Sequence, residues 1–138
     1  MRICAHVHSS QGIHQVTLRT NENEHQLQIP PRNTGFGSSA NGGELLFLAL
    51  ATCYCNDIYR EATKRGIQVQ DVKVEVEGDF GAEGEPARNV TYHAEITAQA
   101  GEDQIRALAL ETDRVAEIQN TLRIGTPIIL KSVETITV

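Results

Sequence analysis

The chain has 138 residues, enough for one domain of ordinary size that buries roughly two-thirds of its unfolded surface. Eighteen acidic residues against twelve basic ones give a formal charge of −6, and the basic residues are scattered beside acids. That pattern excludes the clustered Lys and Arg a phosphate backbone requires, so no nucleic-acid partner is expected.

A single domain over 1–138 is expected, and with no Trp its core has to come from Leu, Ile, Val and Ala. No charged segment followed by an apolar one opens the chain, which gives no sign of a secretory leader. The apolar run from Leu45 to Cys55 is about half a membrane span and reads as a buried helix, so no membrane partner is expected. Three cysteines, an odd number without framework spacing, predict free thiols in a reducing compartment and a cytoplasmic location.

In chain order, Ile3, Ala5 and Val7 alternate with Cys4, His6 and His8. Val16 and Leu18 repeat the pattern after the Ser9–Gly12 turn, and Leu27 and Ile29 complete a third strand before Pro30 and Pro31. Period-2 alternation between turns predicts an antiparallel meander. The segment from Pro30 to Gly43 is a loop, and its Gly35-Phe-Gly-Ser-Ser39 stretch lacks the Gly-Lys-Ser/Thr ending of a phosphate loop.

A helix is expected from Asn41 or Gly42 to Arg65, with Asn41 as N-cap, Glu44 in the first turn and Gly66 beyond the end. It would be about 35 Å long. Its first half is apolar all round and must be covered on every side, more than one small sheet provides. Val72, Val74 and Val76 predict a strand ending at Gly78, and Val90 to Ala98 predict the next. Gly101 to Asp103 opens a helix with Ile105, Leu108 and Ala109 on its inner side. Thr112 or Asp113 would cap a second short helix from Arg114 to Arg123, and Ile128 to Val138 would close the chain as a strand. The class is α+β: antiparallel strands, a long central helix and two shorter helices.

The chemistry, if any, belongs to the thiols. Cys53 and Cys55 lie two apart on the helix, about 200° apart in direction, so they read as separate thiols on separate faces, not as a redox pair. Asp57 shares the face of Cys53 four residues on. A carboxylate there, added to burial, raises a thiol pKa, so a reactive Cys53 needs a cation. None stands at i−3 or i−4, where Leu50 and Ala49 sit. Cys4, His6 and His8 share one strand face, but three adjacent positions on one edge strand make a poor ligand set, and neither a metal nor a cofactor is expected. His14, His25 and His93 read as surface or strand-face residues, and no Ser-His-Asp triad is read.

The run Ser39-Ala-Asn-Gly-Gly-Glu44-Leu-Leu-Phe-Leu-Ala-Leu-Ala-Thr-Cys53, with Asp57 beyond it, resembles the central helix of the OsmC/Ohr family of osmotically inducible and organic hydroperoxide resistance proteins. Arg65-Gly-Ile-x-Val69, Val72-x-Val-x-Val76, Val90-Thr-Tyr-His-Ala-Glu-Ile and Asn120-Thr-Leu-Arg-Ile-Gly-Thr-Pro-Ile follow in the family's order. The resemblance implies an intertwined homodimer, which would cover the apolar half of the helix. It implies a peroxidatic cysteine at Cys53, an organic hydroperoxide or other small apolar ligand as partner, and an external thiol as reductant. The family also places a Glu and an Arg near the thiolate. Glu44 is the matching acid, although the peroxidase branches carry theirs one residue earlier, at Gly43 here. Arg19 or Arg32 is the candidate cation by position. The resolving cysteine, usually in a Cys-Pro pair, is replaced by Ala116 and Glu117. Three readings follow: a one-cysteine hydroperoxide reductase, with Cys53 resolved by an external thiol or by Cys55 or Cys4; a non-catalytic ligand-binding or redox-sensing dimer; and a relic in which Cys53 merely packs.

Overall fold

A computed structural model describes residues 1–138. The chain divides into two compact units, Met1–Leu46 and Phe47–Val138, with the boundary inside the long helix.

The first unit is a three-stranded antiparallel sheet of β1 (Ile3–Ser10), β2 (Ile13–Thr20) and β3 (Asn23–Leu27), in that order. The meander is as the alternation predicts, except that β3 ends at Leu27, opposite Val16, and does not reach Ile29. Pro30 and Pro31 follow closely and bring no N–H to a ladder. Helix α1 (Gly42–Lys64) starts at a reciprocal box: the Asn41 N–H donates to Glu44 Oε1 at 3.0 Å, and the Glu44 N–H donates to Asn41 Oδ1 at 2.8 Å. It ends where Gly66, at φ +66°, turns the chain so that the Ile67 N–H reaches the Ala62 carbonyl.

In the second unit β4 (Gln68–Asp79) and β5 (Arg88–Gln99) form a two-stranded antiparallel sheet, followed by α2 (Glu102–Val115) and α3 (Glu117–Arg123). The core is small. Tyr54, Ile58 and Ala62, one turn apart along α1, bury themselves with Leu108 of α2 against the inward residues of the hairpin, among them Val72, Val74, Tyr92 and Ile96. The rings of Tyr54 and Tyr92 meet edge to face at 4.9 Å. Gly78 leaves room for Phe47: a Cβ there would stand 2.9 Å from the Phe47 ring.

Two expectations need correction. The break between the last helices falls at Ala116, whose backbone is extended (ψ 113°), not at Thr112 or Asp113. Neither of those is free to cap a helix. The Thr112 hydroxyl donates to the Leu108 carbonyl inside α2 at 2.8 Å, and Asp113 accepts from Tyr92 and Arg123. Ile128–Val138, expected as a closing strand, belongs to no sheet, and Ile128 and Ile136 are 97% and 91% exposed. A strand exists only against an edge, and no edge of this chain pairs with the segment. The apolar first half of α1 is likewise only partly covered, with Leu48 55% exposed.

Ile58 has no exposed surface and joins both layers of the core. Ile58→Ala should destabilise the protein by about 2–5 kcal/mol with little change in the denaturant slope, as read by urea unfolding.

Candidate functional site

The stripe of α1 that carries the core also carries the chemistry. Leu50, Tyr54 and Ile58 alternate around the helix with Cys53, Asp57, Arg60 and Glu61, so a slight turn away from the apolar seam yields a polar one. Helix α3 docks on this seam. The buried Gln119 side chain donates from Nε2 to the Leu50 carbonyl at 3.0 Å, and fully buried Ala116 sits at the joint between α2 and α3.

That docking brings Glu117 onto the thiol. The Cys53 Sγ lies 3.5 Å from Asp57 Oδ2 and 3.8 Å from Glu117 Oε2. The other oxygen of each carboxylate is taken by one guanidinium: Arg60 Nη1 is 3.1 Å from Asp57 Oδ1 and 2.9 Å from Glu117 Oε1. Arg60 Nε also donates to Glu61 Oε1 at 2.9 Å, which Lys64 Nζ meets at the same distance. Each carboxylate thus turns one oxygen to the sulfur and the other to the guanidinium. The donor atoms of Cys53, Asp57 and Glu117 all lie within 4.8 Å of one another.

The electrostatics favour the protonated thiol. Burial pushes the Cys53 thiol up from its ordinary value, and the charges of Asp57 and Glu117 push it further. The backbone N–H of Ile118 is the one group that pulls it down. Asp57, 6% exposed, is raised by its own burial and then by Glu117, with Arg60 opposing. Glu117 is lowered, first by its own backbone N–H at the start of α3 and then by Asp57 and Arg60. The two acids are thus pushed in opposite directions, Asp57 up by its burial and Glu117 down by the start of α3.

The structure therefore brings Cys53 and Asp57 together and adds two residues that the sequence reading did not assign, Arg60 and Glu117. Arg60 was legible: it lies seven residues after Cys53 and three after Asp57, on the same stripe. The i−3 and i−4 positions, where a cation is absent, do not include it. Glu117 carries no spacing signal toward Cys53, because its reach across to α1 depends on where α3 docks.

Glu44 and Arg19 make their contacts within one chain as follows. Glu44 spends its carboxylate on the Asn41 backbone at the start of α1. Arg19 lies in the first unit, opposite Cys4 on β1 and Glu24 on β3, and lines a recess of about 330 Å³ with Cys4, His6 and Thr17. Arg32 donates to the Ser38 carbonyl. Cys55 points away from Cys53 and lines a shallow recess of about 240 Å³ with Ala51, Thr52, Asn56 and Val74. All three cysteines are free thiols.

An α+β fold whose long helix offers a half-buried cysteine to the start of a later helix defines a class of thiol protein. Residues 35–131 match the family described as OsmC-like protein, and the chain belongs to that family. No curated protein matches the chain. Among solved structures, it is similar to an OsmC-like protein from Mycoplasma pneumoniae at 18% identity and TM-score 0.62, over 89% of each chain. It is also similar to an organic hydroperoxide resistance protein, OsmC, from Legionella pneumophila at 23% identity and TM-score 0.58, over 89% of this chain and 90% of that one. An OsmC-like protein of unknown function from Vibrio cholerae aligns at 11% identity and TM-score 0.59, over 88% of this chain and 93% of that one. At these identities the likeness shows the fold and not the activity. No helix of the chain is long and apolar enough to cross a membrane.

Removing either carboxylate charge should lower the Cys53 pKa, because both raise it. With Cys4 and Cys55 replaced by Ser, the pH midpoint of Cys53 alkylation should fall in Asp57→Asn and in Glu117→Gln. A midpoint unchanged in both variants contradicts the electrostatic account.

Proposed function

We propose that the protein is a one-cysteine reductase of organic hydroperoxides, an oxidative-stress function in which Cys53 is the attacking thiol and a small external thiol restores it. The observation that carries this reading is the convergence on the Cys53 sulfur of two carboxyls, Asp57 at 3.5 Å and Glu117 at 3.8 Å, both held by Arg60. The family membership and the Legionella protein's description as a hydroperoxide resistance protein agree with it.

The steps follow from those two groups. Glu117 takes the thiol proton as the sulfur attacks the distal oxygen of the hydroperoxide. The S–O bond forms, the O–O bond breaks, and the departing alkoxide takes that proton back from Glu117 to leave as an alcohol. The sulfur is oxidised to a sulfenic acid, which keeps the hydrogen of the distal oxygen. Ala116 offers no second thiol, so an external thiol condenses with the sulfenic acid, releasing water. A second equivalent then reduces the mixed disulfide. Arg60, bound to both acids, positions them throughout.

The working unit in this reading is a homodimer in a reducing, cytoplasmic setting. The unpaired edges of the two-stranded sheet, the exposed face of α1 at Leu48 and the apolar C-terminal segment support it, since a second copy supplies what each lacks. Sedimentation or light scattering at micromolar concentration should give twice the chain mass of 15.1 kDa. A monomer there is against the dimer.

The raised thiol favours one competitor, a ligand-binding or redox-sensing dimer without turnover. Reduced protein treated with one equivalent of an alkyl hydroperoxide should carry a sulfenic acid on Cys53 alone, trapped by dimedone and found by mass spectrometry. Added monothiol or dithiol should then sustain hydroperoxide consumption, and Cys53→Ser should abolish it. Cys53 left as a free thiol under these conditions contradicts the reductase reading. Cys53 oxidised once, with no consumption on adding thiols, selects the sensor.

A further inference from the structure

We propose that Cys53, Asp57 and Glu117 form a binding site for a divalent transition-metal ion of the zinc type. Neither the hydroperoxide chemistry nor the fold family requires such a site, and the proposal stands without turnover.

Geometry carries it. A tetrahedral zinc ion holds sulfur at about 2.3 Å and carboxylate oxygen at about 2.1 Å, which sets the two donors about 3.6 Å apart. The Cys53 sulfur lies 3.5 Å from Asp57 Oδ2 and 3.8 Å from Glu117 Oε2, and all three donors fall within 4.8 Å of one another. The spacing leaves room for one ion shared by all three.

The orientation of the carboxylates agrees. Each gives one oxygen to Arg60 and turns the other toward the sulfur. Metal-binding carboxylates are characteristically held this way by an outer hydrogen bond that fixes their direction. Arg60 holds the oxygens that the sulfur does not face, so an ion bound by the other two need not displace it.

Charge and softness name the ion. Fully ionised, the three ligands carry three negative charges and Arg60 returns one, while Glu61 is matched by Lys64. A divalent cation neutralises the remainder. A thiolate with two carboxylates and no imidazole suits zinc or cobalt, whereas magnesium and calcium take oxygen alone. Three protein ligands leave a fourth position to water. With an ion bound, the sulfur lone pair is engaged and Cys53 is closed to alkylation and to peroxide until the ion leaves.

Cobalt(II) added to the reduced, full-length protein tests the site without peroxide. One ion per chain should bind and produce the near-ultraviolet charge-transfer absorption of a sulfur-to-cobalt bond. The band should persist in Cys4→Ser and Cys55→Ser and vanish in Cys53→Ser. Asp57→Asn and Glu117→Gln should each weaken binding at least tenfold. Glu117 is largely exposed, so Glu117→Gln tests the site without disturbing the core, and circular dichroism checks the fold of every variant. Zinc should compete the cobalt out and slow Cys53 alkylation by a similar factor. No band at excess cobalt, a band that survives Cys53→Ser, or unchanged affinity in Glu117→Gln overturns the proposal. Because no peroxide enters, failure here leaves the reductase reading standing, and an inert Cys53 in the peroxide assay leaves this site standing.

Discussion

The site exists only because α3 docks on α1 in one register, and the joint that fixes the register is narrow. Gln119 donates to the carbonyl of Leu50, one turn before Cys53, in a place closed to water. A hydrogen bond of this kind nets about 1 kcal/mol, but leaving its buried partner unpaired costs about 1–3 kcal/mol, so sliding α3 along α1 is penalised. Ala116 is the other half of the joint. It is fully buried where the backbone leaves α2 and re-enters a helix, and its methyl lets the two helices approach. From there Glu117 and the N–H of Ile118 fall next to the sulfur without freedom to choose another place.

The electrostatic outcome follows from counting groups at that point. Burial and two carboxylates raise the thiol, and one backbone N–H lowers it. Arg60 does not change this balance directly, because it binds the far oxygens of both acids. Its effect is to hold the carboxylates where they face the sulfur and to keep Asp57 from rising further. An arginine beside a thiol would make a thiolate; an arginine behind two carboxylates makes a positioned acid pair.

Much of this arrangement is legible from spacing alone. Asn41 and Glu44 announce the helix start, Gly66 its end, and valines in alternation mark both long strands, because those signals are local and the backbone obeys them locally. Asp57 on the face of Cys53 is a matter of 3.6 residues per turn. What could not be read depends on distant parts of the chain. Glu117 is a plain charged residue until α3 is docked. Asp113 is a good N-cap by type, yet Tyr92 on a strand and Arg123 on the next helix both claim its carboxylate. The C-terminal segment has the pattern of a strand, but pattern does not supply an edge. Glu44 is legible for its local part alone, the cap it builds with Asn41.

Ala116 and Glu117 set the sulfur's surroundings in two ways. Ala116 offers the sulfur no second thiol. Glu117 brings a carboxylate to 3.8 Å from it. The second makes the reactivity of Cys53 conditional, since a thiol facing two acids ionises readily only when something offsets their charge. Arg60 holds the far oxygens of both and leaves the near ones facing the sulfur. The state of Cys53 is therefore set by what occupies the space between its sulfur and those two carboxylates, which makes that space, more than the thiol itself, the controlling element of the site.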